Sequence, residues 1–561
     1  MQLYWWVLWM FLSTASLSYI GNGRSSNDIA LDMEKIESFG KTASLIKALK
    51  QIAQRTHNCG NKDIPKLKKV LLANTSVTCN DGSPAGYYIR KSYGSSKWIV
   101  FLEGGWYCFD KGSCSSRWNS MPEFMSSMSW PETKEGTGIL SRNPVENPYY
   151  FHSNMVYLPY CSSDSWTGTE RGGNGQYSFM GSLIVEEVIK ELLPKGLIRA
   201  RKLVLAGSSA GGTGVLMNLD RIADVMASYA PSVEVRGIAD SGWFLDNLPF
   251  RRKECVEAYD CAPTDGIKRG IELWKGRVPT SCMEIFSASE QWRCYFGYRI
   301  YPTIKTPVYI VQYQFDEAQI TVDNVFDASD IQGDSQINKS QWEYLYELGL
   351  EVRKTLQNVS AVFAPACLSH ELLTKSDWQT VSVDEVTLAE SLYCWENRID
   401  KKPCTEVTNK STTSSLGSLD ALLGDEPPTK EGKKKKKRRK KKNKDKERKR
   451  RQKGKRNKNR PQKDRSRWNR GKRSRSNRAS RKGGCKHQLI DVCLLPQCNC
   501  ACPKYINRLT GDEMNFFKLF IQYGIDKADL AELLSVDIST MNSMSYDTIS
   551  DRVLKVIRQR S

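Results

Sequence analysis

The sequence predicts an α/β fold, a mainly parallel central sheet with helices on its faces, cross-linked by disulfides and interrupted by a long disordered basic insertion. Three observations predict it. Short apolar runs ending in Gly, Ser or Asp recur, at 97–105 (KWIVFLEGG), 154–161 (NMVYLPYC), 201–209 (RKLVLAGSS), 233–242 (VEVRGIADSG) and 306–316 (TPVYIVQYQFD). Stretches with helical spacing, FMGSLIVEEVIKELL at 179–193 and GTGVLMNLDRIADVMAS at 212–228, alternate with them. Alternation of this kind builds parallel sheets, and near-continuous apolar strands are what a sheet buried on both faces requires. The third observation is a glycine-flanked serine at the junction of one such strand and one such helix.

In chain order, residues 1–20 form an apolar run trailing into small residues, which reads as a signal peptide although no basic residue follows Met1. It is short for a membrane span, and no second run of that length follows. Residues 21–55 read as a helical, propeptide-like segment, and 56–404 as the catalytic domain. Seventeen cysteines suit an oxidising compartment, twelve between Cys59 and Cys404 and five between Cys485 and Cys502. Their odd number leaves one thiol over. The cluster CNCAC at 498–502 lacks the two-residue gap of zinc ligands, so no metal site is expected. Sequons at Asn74, Asn338, Asn358 and Asn409 offer glycosylation sites on a secretory route.

The net charge of +22 is unevenly spread. Residues 433–482 hold 31 Lys and Arg against three acids, whereas the rest of the chain carries 53 bases and 59 acids. The protein is therefore a mildly acidic globule with one basic segment, set in a stretch (405–484) too poor in apolar residues to fold. Only Trp468 interleaves as an aromatic, too few for base stacking, so nucleic acid is not the expected partner. Sulfated glycosaminoglycan is. The sequence turns globular again at 485–535, Cys-rich and then helical, which predicts a return to the catalytic domain, and 536–561 form a C-terminal tail. A separate C-terminal module is the competing view.

The chemistry centres on Gly207-Ser208-Ser209-Ala210-Gly211. The G-x-S-x-G frame fits only Ser209, and its place between strand and helix is the context of a nucleophile elbow, which narrows the prediction to an α/β-hydrolase fold. In such folds the order is Ser, then acid, then His. Of the four histidines, His57 and His152 precede the serine and His487 lies in the Cys-rich tail, leaving His370. Asp240 and Asp316 both end strands in the interval. Asp316 is preferred because it ends the last strong strand before His370. Two backbone N–H groups should form the oxyanion hole, one from Ala210 and one from the glycine-rich run Leu102-Glu103-Gly104-Gly105-Trp106, where Gly105 and Trp106 are the expected donors.

The blocks FLEGGWYC, GSSAGGTGVLMNLD, DSGWFLDN, FDEAQ and ACLSH, with CPKYINRLTGDEMNFFKLF in the tail, resemble the Notum carboxylesterases of the pectin-acetylesterase-related family. The resemblance implies a secreted serine carboxylesterase that removes a palmitoleoyl group from a serine of Wnt proteins and so antagonises Wnt signalling. It implies no cofactor, and binding to the sulfated glycans of glypicans at the cell surface. It carries the triad onto Ser209, Asp316 and His370, and sets Trp106, Tyr107, Phe244, Tyr295 and Phe296 round an acyl pocket. In the tail it accounts for Cys485, Cys493, Cys498 and Cys502 and leaves Cys500 as the candidate free thiol. Two other functions fit parts of the pattern: a polysaccharide O-acetylesterase with the same triad, and a non-enzymatic heparin-binding matrix protein on a hydrolase scaffold.

Overall fold

A computed structural model describes residues 66–173, 176–326, 339–397 and most of 485–503, with short pieces between 505 and 552. The leader, residues 21–55, the basic segment 433–482, Asn338, Asn409, Cys59, Cys404 and Cys500 lie outside the described residues.

The chain runs β1 (Leu67–Leu71), β2 (Gly86–Arg90), β3 (Lys97–Leu102), α1 (Lys111–Ser120), β4 (Thr133–Lys134), β5 (Asn154–Leu158) and α2 (Gly181–Leu192). It continues through β6 (Lys202–Ser208), α3 (Ala210–Tyr229), β7 (Glu234–Asp240), α4 (Pro263–Trp274), β8 (Val308–Val311), β9 (Phe315–Asp316) and α5 (Glu317–Val322). Then come α6 (Lys339–Leu356), β10 (Val362–Ala364), β11 (Leu368–Ser369), the hairpin β12 (Ser382–Val383) and β13 (Val386–Thr387), α7 (Leu388–Glu396) and β14 (Gln488–Ile490).

Ten strands form one sheet in the order β14-β10-β8-β7-β6-β3-β5-β2-β1-β4. Pairing is parallel from β14 through β5 and antiparallel at the β2, β1 and β4 edge. The architecture is α/β, an α/β-hydrolase sheet. Its central strands read as predicted: all five residues of β5 and all four of β8 are buried. Helix α2 turns Ile184, Val185, Val188, Ile189 and Leu192 inward, one face of a 3.6-residue period. The first ten residues of α3 are all buried.

Topology decides where the site lies. β3 has β5 on one side and β6 on the other, so the chain reverses its direction of winding at β3. The loops leaving β3 and β6 diverge there, opening a crevice at the carboxyl ends of the strands. Residues after β10 complete the rim: β11 pairs with β9 in parallel, with Ser369 opposite Asp316.

The Cys-rich tail enters the same sheet. β14 pairs with β10, Leu489 opposite Phe363, and disulfides Cys394–Cys485 and Cys367–Cys502 tie the tail to the main chain. The second bridge sits three residues before His370. Gln314 Nε2 donates to the Ala364 and Asp491 carbonyls, and Leu368 N–H to Gln497 Oε1, so the tail braces both loops around β9 and β11. Seven disulfides are formed among the described residues. Cys498 and Cys502 of the CNCAC cluster are both used in them. Among the described residues, no helix is long and apolar enough to cross a membrane.

Candidate active site

Ser209 stands between β6 and α3 with φ +56° and ψ −124°, a conformation side-chain-bearing residues avoid. The flanking glycines make the turn possible. A Cβ on Gly211 would lie 2.1 Å from the Leu102 carbonyl oxygen, and one on Gly207 would lie 2.4 Å from that of Gly211. The strained turn lifts the Ser209 hydroxyl out of the sheet edge and is held by its N–H donating to the Asp240 carbonyl.

His370 Nε2 lies 2.8 Å from Ser209 Oγ, and His370 Nδ1 lies 2.9 Å from Asp316 Oδ2. Asp316 is buried and well held. Its Oδ1 accepts from the N–H groups of Ala318 and Gln319 at the start of α5, and its Oδ2 from Gln312 Nε2. Burial alone would lower the imidazole pKa of His370. The charge and hydrogen bond of Asp316 outweigh it, with Glu371 and Asp240 adding, and raise it to about 9. A fifth of the His370 side chain still meets solvent, enough for a water or a substrate to reach Nε2. The other described histidines are engaged elsewhere: His152 with the Ser92 hydroxyl and His487 with the Ser360 carbonyl.

Asp240, the other strand-ending acid, faces the same loop from behind. Its Oδ2 accepts from Ser208 Oγ and from the N–H groups of Leu372 and Leu373, and its Oδ1 from Ser241 Oγ. Ser241 Oγ in turn accepts from Glu371 N–H. Three consecutive amides after His370 are thus gripped by Asp240 or its neighbour. Burial pushes the Asp240 carboxyl up, while the Ser208, Leu373 and Leu372 donors pull it back. Nothing in the sequence pointed to this clamp, because its donors lie more than 130 residues away.

The glycine-rich run lies against the nucleophile. A Cβ on Gly104 would sit 2.7 Å from that of Ser209, so only glycine lets the loop approach. Gly105 (φ +135°) and Trp106 (φ +59°) both adopt left-handed backbone, and Arg117 donates to the Gly105 carbonyl. The Glu103 carbonyl accepts from Trp166 Nε1. Ala210 is the first residue of α3, where amide groups have no partner within the helix. Of the three residues expected as oxyanion donors, Trp106 and Ala210 line one cleft with Ser209, and Gly105 follows the glycine that touches it.

An apolar cleft opens on one side of Ser209. Trp106, Tyr107, Phe244 and Tyr295 line it, together with Pro263 and Ile267 of α4 and Val322 of α5. Phe296 does not. It is fully buried, its ring centroid 5.8 Å from that of Tyr295, and packs on Trp292, because the tight turn ends at Tyr295 and the chain leaves it extended at Phe296. Pro263 and Ile267 escaped the sequence reading because they lie on an unremarkable helix distant from any motif, and Val322 because nothing marks which face of the short helix after FDEAQ meets the cleft. In this form the cleft encloses about 30 Å³, room for a water or two.

Comparison with known proteins agrees with this geometry. The pectinacetylesterase family model matches residues 61–412. The mouse protein named palmitoleoyl-protein carboxylesterase NOTUM is 41% identical over 527 residues, covering 93% of this chain and 89% of its own length. Its human counterpart is 40% identical, covering 93% and 90%. The Drosophila melanogaster protein of the same name is 48% identical over 339 residues, 59% of this chain and 48% of its own. An α/β-hydrolase sheet, a serine elbow at its carboxyl edge and likeness along nearly the whole chain agree: the chain belongs to the pectinacetylesterase family, in the group that contains the Notum carboxylesterases.

Proposed function

We propose that the protein is a serine carboxylesterase that removes palmitoleate from a serine of Wnt proteins and thereby restrains Wnt signalling. The observation that carries this reading is the unbroken hydrogen-bond chain Asp316–His370–Ser209 beside an apolar cleft. In the proposed reaction, Ser209 Oγ attacks the ester carbonyl while His370 Nε2 takes its proton. The amides of Gly105, Trp106 and Ala210 stabilise the oxyanion, each donor worth about 3 kcal/mol in the transition state. His370 then returns the proton to the departing seryl oxygen. A water, activated by His370, attacks the acyl-enzyme and releases the fatty acid. Asp316 holds the Nδ1–H tautomer and stabilises the imidazolium throughout. The group's names and the aromatic lining favour a long acyl chain, whose burial is worth up to ~0.8 kcal/mol per CH₂. Such a chain requires the walls of the 30 Å³ cleft to part.

That small volume is the one observation favouring a second reading, a polysaccharide O-acetylesterase. Incubation of palmitoleoyl-serine, octanoyl-serine and acetyl-serine peptides with the protein, read by mass spectrometry, separates them. The expected result is loss of the long acyl mass, with rates rising from acetyl to octanoyl. Strong acetyl preference would favour the second reading.

Secretion fits the leader and the seven disulfides, and Asn74 and Asn358 are exposed, as acceptor sites must be. The basic segment 433–482 is proposed to hold the protein on heparan sulfate. Deleting it is expected to leave p-nitrophenyl octanoate turnover unchanged. Heparin elution should move to much lower salt, since clustered Lys and Arg bind polyanions largely by counterion release. Loss of turnover would show that the segment supports the active site instead.

A further inference from the structure

A second cavity, of about 340 Å³, lies on the far side of Gly104 from the nucleophile, with Ser208 rather than Ser209 in its wall. Its lining is mixed, with Leu67, Phe101, Phe124 and Leu140 among it, but unlike the cleft it carries charged side chains. Glu103, Lys134, Glu135, Tyr157 and Glu371 line it, with Gly104 forming the wall shared with Ser209. Glu371 comes closest to the chemistry. A Cβ on Gly104 would lie 2.6 Å from Glu371 Oε1 and 2.7 Å from the Ser209 Cβ, so carboxylate and nucleophile flank the same glycine. Glu371 is placed there by a left-handed backbone (φ +59°), with its N–H tied to Ser241. Glu103 is fixed by the Tyr160 N–H donating to its Oε2.

An ester has two sides: Ser209 lines the apolar cleft, and Gly104 stands between it and the second cavity. The cleft suits the acyl chain, which leaves the charged cavity for the alcohol. On this basis, and resting on the esterase function proposed above, we infer that the Glu103–Glu371 cavity receives the polypeptide flank of the acylated serine and selects a lysine or arginine side chain there. Three carboxylates face one lysine in the lining, with Lys375 acting on Glu371 from outside it, which leaves the cavity acidic on balance. An ammonium or guanidinium gains a charge-assisted hydrogen bond on entry. Burial pushes the carboxyls of both Glu103 and Glu371 up, so an incoming cation offsets a cost that the empty cavity bears. The same charge repels a polyuronide such as pectin, the natural occupant if the substrate were a sugar acetate. The volume is at the lower end of ordinary ligand pockets, ample for one long basic side chain and its neighbours.

The test uses octanoyl-serine peptides that differ only in a flanking Lys, Ala or Glu, with p-nitrophenyl octanoate as a reference lacking any peptide. Wild-type protein is expected to cleave the Lys peptide with kcat/KM at least tenfold above the Glu peptide. Glu371→Gln should narrow that ratio at least threefold. Because both peptides share His370, a change in its titration cancels in the ratio. Thr374→Lys, at the half-buried rim, adds a cation without touching the triad loop's donors and should narrow or reverse the preference. Equal cleavage of the Lys and Glu peptides by wild type, or a ratio unmoved by both variants, overturns the cavity assignment alone. Faster cleavage of an acetylated polyuronide than of any peptide places a sugar there and overturns it too. Failure to cleave every acyl-serine peptide while p-nitrophenyl octanoate is hydrolysed overturns the proposed esterase function as well.

Discussion

Replacing Ser209 by alanine is expected to lower kcat for p-nitrophenyl octanoate by about 10⁴- to 10⁶-fold, the loss typical when the nucleophile of a Ser-His-Asp unit is removed. His370→Ala should be comparably inactive, and the double variant no worse, because nucleophile and base act as one unit. Folding should survive. Only a hydroxyl is lost from Ser209, alanine accepts the same backbone strain as serine, and the freed Nε2 lies in a ring open enough to bind water. The melting temperature should therefore stay within about 2 °C of wild type, as for substitutions that open no buried void. The measurement is turnover together with a thermal melt on the same secreted preparation. Wild-type turnover in Ser209→Ala would remove Ser209 from the mechanism. Residual turnover of the Ala variant that is itself abolished by His370→Ala would point to a water directed by the histidine.

The parts of this molecule legible in the sequence are those written locally. The strands at 97–102, 154–158, 202–208, 234–240 and 308–311 announce themselves because burial on both faces demands an unbroken apolar run. The strands next to the sheet's edges do not. β1 reads LKKVL, half exposed, and β10 is three residues long. Ser209 was legible because a tight, close-packed turn dictates its neighbours, and His370 because the alternatives were few. What the sequence concealed was orientation. Tyr295 and Phe296 are equivalent in one dimension, yet one faces the cleft and the other the core. Concealed too was the company kept by Glu371, which sits beside His370 in sequence but gains its place from Gly104 and Ser241, contributed by two other strands' loops. Likewise, the motif at Glu103 drew attention to amides, while its side chain lines a cavity that no motif marks.

The two strand-ending aspartates should separate by both size and pH signature of their effects. Asp316→Asn is expected to lower kcat by about 10⁴-fold, since an amide beside Nδ1 no longer favours the tautomer that leaves Nε2 free to accept a proton. Its residual activity should also titrate differently. In the wild type the carboxylate of Asp316 outweighs burial and holds His370 above its ordinary 6.5, up to about 9. The neutral base is thus gained as pH rises, and kcat/KM should climb through an apparent pKa above 6.5. Without that carboxylate, only Glu371 and Asp240 still oppose burial, which favours the neutral ring, so the acidic limb should move to lower pH. Asp240→Asn leaves the Asp316–His370 pair intact. Its amide oxygen can still accept from the Leu372 and Leu373 N–H groups, although the Ser208 hydroxyl loses a charged acceptor. The expected loss is about 10- to 100-fold, on the scale of a misplaced base, with the pH limb displaced far less. Asp240→Ala removes the acceptor altogether and strands two buried amides at about 1–3 kcal/mol each, so it should show first as lost stability. A pH–rate series on the two Asn variants and a thermal melt on Asp240→Ala make the comparison. If Asp240→Asn were inactive while Asp316→Asn kept both its turnover and its limb, the acid of the triad would be Asp240, and the hydrogen bond from His370 to Asp316 would be structural.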